Sequence, residues 1–338
     1  MPDPSQTGLR TQDRTTPVRI PLHLRAHAAA RFVQATHASR LQAAKRMLAA
    51  AASHGLDMSL IWGTVDPHPS DTDARVGEAC LAVPGAGRSA TLLVSAPERD
   101  SHGPISGHGP RVACIRAACD GLTALPPSQR VVLAQALPDP DHTAVIAALT
   151  EAGFITVGEL AYLQRPVQAP PPVSAWPSGV TVRAVVGVGP GEPDRVAMLA
   201  ALECSYEDTL DCPELCGLRT TSDVLESHRA AGAFDPNLWW LVFHHDQPAG
   251  CLLLSQSPEH DTVELVYLGV ARSLRGMGLG RALLSMGLNR LHTRRETSIG
   301  CAVDLRNQPA IRLYKSLDFR EISRKIAMVR PLGDPASA

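Results

Sequence analysis

The stretch RSLRGMGLGRALL, residues 272–284, sets Gly276, Gly278 and Gly280 at alternate positions between Arg275 and Arg281, with Met277 inside the run. Upstream, TVELVYLGV ends at Val270 and reads as a strand. Downstream, Ala282, Leu283, Met286, Leu288 and Leu291 form one broad helical stripe. A strand, a glycine turn and a helix leave unpaired N–H groups at the positive end of a helix dipole, which is an anion site. Glycines permit the positive φ values and close backbone approach of such a nest. The two arginines add charge suited to a diphosphate. A Walker-type loop is excluded because Arg281-Ala282, not Lys and Ser or Thr, follow Gly280. The dinucleotide fingerprint is excluded because the spacing is GxGxG and the loop follows several strands rather than the first.

Outward from this turn, the second half of the chain reads as strands first and then alternating helices and strands. VTVRAVV from Val180 alternates as a strand does, and Val196, Leu199, Ala200 and Leu202 form a helical pattern. WWLVFHH and AGCLLLS read as a hairpin turning at Asp246-Gln247-Pro248. SIGCAVD, PAIRLYKSL and SRKIAMVR close the order as strand, helix and strand. The fold class is therefore α/β in the mixed, α+β sense.

The first half repeats the second. DHTAVIAALTEAGFITVGELAYLQRPV, ending at Val167, aligns without a gap on RNQPAIRLYKSLDFREISRKIAMVRPL, ending at Leu332, at an offset of 319 − 154 = 165 set by the Phe319 and Phe154 pair. SGHGPR from Ser106 corresponds to RGMGLG from Arg275. Five prolines in PVQAPPPVSAWPSG place a spacer between the copies. The expected division is a tail at 1–17, a first domain at 18–167, a linker at 168–179, a second domain at 180–332 and a tail at 333–338.

Thirty-two basic against 33 acidic residues, a net charge of −1, give no same-sign block for nucleic acid or a membrane surface. No segment has the roughly 20 uninterrupted apolar residues of a membrane span. Eight cysteines, mostly within apolar runs, and no apolar amino-terminal stretch favour a cytoplasmic location. Cys212 and Cys216 lack a matching ligand pair, so no metal site is expected. The sequence carries no signal of oligomeric state.

RSLRGMGLGRALL resembles motif A of the GNAT superfamily of N-acetyltransferases, Gln or Arg, two residues, Gly, one residue, Gly or Ala; Arg275, Gly278 and Gly280 fill those places. VDLRNQPAIRLYKSLDF is similar to motif B, with Asn307, Ala310, Tyr314 and Phe319 at its spacing. The resemblance covers Val180 to Leu332. It implies two tandem GNAT-like domains, each a mixed, mostly antiparallel splayed sheet flanked by helices, with acetyl-CoA as co-substrate, no metal, and a small-molecule or peptide amine as acceptor.

Glu264, among apolar neighbours in TVELVYLGV, reads as a carboxylate whose pKa burial raises, which suits a general base; an edge position or a buried ion pair is the plain alternative. The resemblance makes it the group that deprotonates the amine. It also makes Tyr314 the acid that protonates the departing thiolate, where the helical face shared with Ile311 and Leu317 allows a core phenol instead. Asn307 contacts the pantetheine or acyl group, caps the helix at Pro309, or does both. The resemblance further implies that Leu268, Gly269 and Val270 line the pantetheine and that an N–H near Leu268 or Gly269 meets the oxyanion. Glu207, Asp208, Asp211 and Glu214 form an acidic loop that either holds a cationic amine or is simply solvated. In the first copy Ser106 replaces Arg275, Arg111 replaces Gly280, His142 replaces Asn307 and Leu149 replaces Tyr314, so that copy is expected to be degenerate. Keeping Glu264 and Tyr314 favours an enzyme over a non-catalytic acyl-CoA-binding sensor, while longer acyl-CoA donors stay open.

Overall fold

A computed structural model describes residues 15–33, 37–53, 57–66, 75–97, 104–168, 171–257 and 260–333. Of the expected tails, residues 1–14 and 334–338 lie outside the described residues, as do 98–103 of the first glycine turn's approach and 169–170 of the linker. The chain forms two compact units. The first takes the chain to Pro84, Ser89–Thr156 and the segment from Met328; the second takes Gly85–Arg88 and Val157–Ala327.

The first unit contains strands β1 (Val18–Arg19), β2 (Ile61–Asp66), β3 (Arg75–Gly85), β4 (Ser89–Val94) and β5 (Leu133–Ala136). Its helices are α1 (Arg25–Ala29), α2 (His37–Ser53), α3 (His108–Thr123) and α4 (Thr143–Glu151). β1 to β3 pair antiparallel, whereas β4 and β5 run parallel from Ser89↔Leu133 to Thr91↔Gln135.

The second unit begins with most of β6 (Ile155–Pro166) and continues through β7 (Val180–Ala184), α5 (Arg195–Tyr206), α6 (Thr221–Arg229), β8 (Trp239–His244), β9 (Gln247–Gln256) and β10 (Thr262–Val270). α7 (Leu279–His292), β11 (Ser298–Asp304), α8 (Gln308–Lys315) and most of β12 (Arg320–Pro331) complete it. The strand order is β6-β11-β10-β9-β8-β7, antiparallel except for the β10–β11 pair. This is the mixed, mostly antiparallel sheet expected of the sequence.

β9 is buried from Ala249 to Ser255 because both its faces are covered. Gly287 of α7 sits where a Cβ would come within 3.0 Å of Leu252 and 3.2 Å of Leu254, so the absent side chain lets helix and sheet close on that face. α5 packs on β9 and β10, and α6 on α5. The β8–β9 hairpin turns at His245-Asp246, not at Asp246-Gln247-Pro248: both residues have positive φ, 48° and 61°, and His244 pairs with Gln247. A two-residue turn of that hand matches the twist of the strands it joins.

The offset of 165 carries β6 onto β12 residue for residue, since 155 + 165 = 320 and 166 + 165 = 331. These two strands are exchanged. β6 pairs with β11 over seven positions, Ser298↔Pro166 to Asp304↔Leu160. The end of β12 pairs with β5 from Met328↔Ala136 to Pro331↔Leu133. Each unit is thus closed by a strand from the other half of the sequence, and the contacts do not divide within 168–179, where the linker was expected.

Candidate active site

β10 ends at Val270, and one 3-10 turn at Arg272–Leu274 leads into the glycine run. Gly276 and Gly278 both have φ of +80°, with open space where a Cβ would stand, so backbone conformation and not crowding requires glycine there. Gly278 caps α7. Gly280 lies inside the helix, and a Cβ on it would meet only Leu313 Cδ2, at 3.4 Å. Among the described residues, no backbone carbonyl accepts from the N–H groups of 276–281. Free of backbone acceptors, they meet one requirement of the anion nest proposed for the turn.

The guanidinium of Arg275 has another task. It donates to the carbonyls of Val270 (3.3 Å), Ser205 (3.0 Å), Glu207 (2.7 Å) and Asp208 (3.1 Å), stapling the turn to the end of α5. Arg281, exposed in the first turn of α7, reaches Ser316 Oγ at 2.6 Å.

β10 and β11 pair in parallel only from Thr262↔Ser298 to Glu264↔Gly300, although β10 continues to Val270 and β11 to Asp304. A bulge between Leu265 and Tyr267 bends β10 where that pairing ends. Ala271 N–H donates to Ala249 O at 2.8 Å. By the alternation of an antiparallel ladder, Gly269 then also bonds to β9, while the N–H groups of Leu268 and Val270 point away from β9 toward the opened gap. Of the N–H groups near Leu268 and Gly269 expected as oxyanion donors, only that of Leu268 points into the gap.

Glu264 stands at the last paired position and opens onto a cavity of about 390 Å³. Its side chain is exposed rather than sealed in the core as the apolar run implied, with the small residues Gly300 and Ala302 lining the same cavity. Surrounding protein still strips enough hydration to raise its carboxyl above the usual range. Tyr162 of β6 lines the same cavity, its phenol raised by burial and then by the Glu264 charge. Ser255, opposite Glu264 on β9, is fully buried and its Oγ has no hydrogen-bond partner among the described residues. Tyr162 and Ser255 went unnoticed in the sequence: Tyr162 lies 102 residues before Glu264 (264 − 162), and a serine in AGCLLLS looks like any buried strand residue.

Tyr314 is buried against Phe319, ring centres 5.6 Å apart, and burial holds its phenol well above 10. Asn307 caps α8, its Oδ1 accepting from Ala310 N–H at 3.2 Å. Three of the four carboxylates of the acidic loop, those other than exposed Glu207, have partners among the described residues. Glu214 accepts from Arg306, Asp208 pairs with Arg272, and Asp211 accepts from Asp304 N–H at 2.8 Å. Asp223 closes a capping box with Thr220 and pairs with Arg88.

The first unit makes a contrast. Gly107, equivalent to Gly276, keeps a positive φ of 112°, but its N–H donates at 3.0 Å to the carboxylate of Glu78. Arg111, at the place of Gly280, donates to the same oxygen at 2.9 Å, and Ser95 Oγ to the other at 2.5 Å. Glu78 and Arg111 are both buried. An internal carboxylate thus meets the turn's N–H. His142 precedes α4 without a side-chain cap, and Leu149 is core.

The description "Acetyltransferase (GNAT) family" matches residues 204–319. The mycothiol acetyltransferase of Frankia alni is 31% identical over 291 residues, 75% of this chain and 81% of that protein. That of Thermomonospora curvata is 36% identical over 176 residues, 51% of this chain and 56% of its own length, so the match spans little more than half of that relative. A GCN5-related N-acetyltransferase from Sphaerobacter thermophilus has the same fold, with a TM-score of 0.60 at 20% identity over 95% of this chain and 96% of that one. The chain belongs to the GNAT family of N-acetyltransferases. Among the described residues, no helix is long and apolar enough to cross a membrane.

Proposed function

We propose that the second unit transfers the acetyl group of acetyl-CoA directly to a primary amine, and that the acceptor is a mycothiol-related amine, as the names of the relatives suggest. The N–H groups of 276–281 hold the diphosphate, and the pantetheine lies along Leu268 to Val270 in the gap that β11 leaves. The neutral amine attacks the thioester carbonyl, and Leu268 N–H receives the oxyanion. Glu264 takes the amine proton, directly or through water, as the new N–C bond forms. The C–S bond then breaks and the sulfur acquires a proton. Burial raises the Tyr314 phenol, which therefore stays protonated as the departing thiolate forms. Tyr314 is the general acid that gives this proton to the departing sulfur and is reprotonated from solvent. The first unit is a degenerate copy in which Glu78 stands in for the diphosphate.

The observation that carries this reading is Glu264 opening onto a cavity where the β10–β11 pairing stops. A thiol-release assay with acetyl-CoA across amines and peptides, including a mycothiol-related amine, tests it. Acetyl-CoA binding with no thiol release from any amine would instead support a sensor.

A further inference from the structure

Four strands of the second unit present one row of residues to the cavity. Ser255 of β9 pairs with Glu264 of β10, Glu264 with Gly300 of β11, and Gly300 with Gln164 of β6. The next row on the same face holds Ala302 and Tyr162, beside the point where β10 has diverged. Neighbouring strands stand about 4.8 Å apart, so Glu264 and Gln164 face each other across about 10 Å with no side chain between them. Gly300 is what leaves that space. Its glycine is not demanded by the backbone or by crowding, since a Cβ there would meet only Leu163 O, at 3.4 Å. Gln164 is held in place, its Nε2 donating to Ser298 Oγ at 2.9 Å, which leaves its carbonyl oxygen toward other partners.

We infer that the acceptor sits over Gly300, with its amine toward Glu264, and that Gln164 and Tyr162 position it through the neutral hydrogen-bonding groups next to the amine. The seat takes an uncharged hydroxyl or amide near the amine rather than a second cation. Gln164 and Tyr162 are neutral, none of the acidic-loop residues lines this cavity, and Asp208, Asp211 and Glu214 of that loop are already engaged by arginines and backbone. Since both residues lie on β6, the first half of the sequence supplies one wall of the second unit's acceptor site. This rests on the acetyl-transfer reading above.

The test uses the full chain, acetyl-CoA and whichever amine in the panel gives the fastest thiol release with the unmodified protein. Tyr162→Phe and Gln164→Leu each remove one neutral hydrogen bond and should raise the KM for the amine by about three- to tenfold. kcat should stay within about twofold, and calorimetric binding of acetyl-CoA should be unchanged. Gly300→Ala adds a methyl to the seat and should raise the amine KM about tenfold or more. Unchanged amine KM in Tyr162→Phe and Gly300→Ala overturns the inference. So does a parallel loss of acetyl-CoA binding, which would mark a merely structural role. Should the unmodified protein release no thiol with any amine, the acetyl-transfer reading fails first, and this one with it.

Discussion

Gly278→Ala and Gly280→Ala add the same methyl two residues apart, and the structure gives them opposite consequences. Gly278 sits at φ +80° with nothing near a would-be Cβ, so the cost is conformational. An L-residue in the left-handed region loses about 1–2 kcal/mol, which in a unit of this size lowers the unfolding midpoint by about 2–8 °C. Relaxing that strain would also turn N–H groups of the nest away, so acetyl-CoA should bind at least about tenfold more weakly. Gly280 is helical and would meet only Leu313 Cδ2 at 3.4 Å. Alanine in a helix is favoured over glycine by about 0.5–1 kcal/mol. Gly280→Ala should therefore hold or raise the midpoint and keep acetyl-CoA affinity within about threefold. Thermal unfolding and calorimetric titration of both variants decide the matter. Equal losses of acetyl-CoA affinity would refute the division between a conformational and a tolerant glycine, as would a Gly278→Ala protein with an unshifted midpoint.

Glu264→Gln should lower kcat without changing acetyl-CoA affinity. Because desolvation raises the Glu264 pKa, kcat/KM in the unmodified protein should fall as pH drops through a value above the usual carboxylate range, and the glutamine variant should lose that limb. Glu78→Ala leaves the buried Arg111 without its carboxylate and should destabilise the first unit by about 3–5 kcal/mol, read by denaturant unfolding. Asp194 is held below its usual pKa by Arg183, and Asp223 by Arg88 and Thr220 despite burial that pushes it up. Depressed folded-state values mean these groups stabilise the protein above their unfolded pKa of about 3.9 and cease to do so as pH falls through the folded values. The unfolding midpoint should therefore decline below about pH 4, and less steeply in Asp223→Asn.

The strand, turn and helix around Gly278 were legible because local chemistry alone dictates them: alternating apolar residues, positive-φ glycines and an amphipathic stripe. The repeat was equally plain, since β6 and β12 coincide at a constant offset. That same likeness concealed the strand exchange. Two strands with matching patterns fit either sheet, and no single residue of ITVGELAYLQRP announces its partner. The candidate site was half visible. Glu264 stood out as a charge in an apolar run, but Tyr162, Gln164 and Gly300 reach it only through pairing between distant segments. Arg275 reads as a phosphate ligand until its guanidinium is seen among the carbonyls of residues 205–208. The ion pairs of Glu214 and Asp208 were not legible because their partners, Arg306 and Arg272, lie far along the chain.

The strand exchange also sets an order of assembly during synthesis. β5 leaves the ribosome 328 − 136 = 192 residues before the segment that pairs with it. The first unit must therefore wait with an open sheet edge while nearly the whole second half is made. β6, by contrast, is already waiting when β11 emerges. A messenger that stops after residue 327 would leave a complete second unit beside an unfinished first one, so loss of the last few residues would be felt most by the half made earliest.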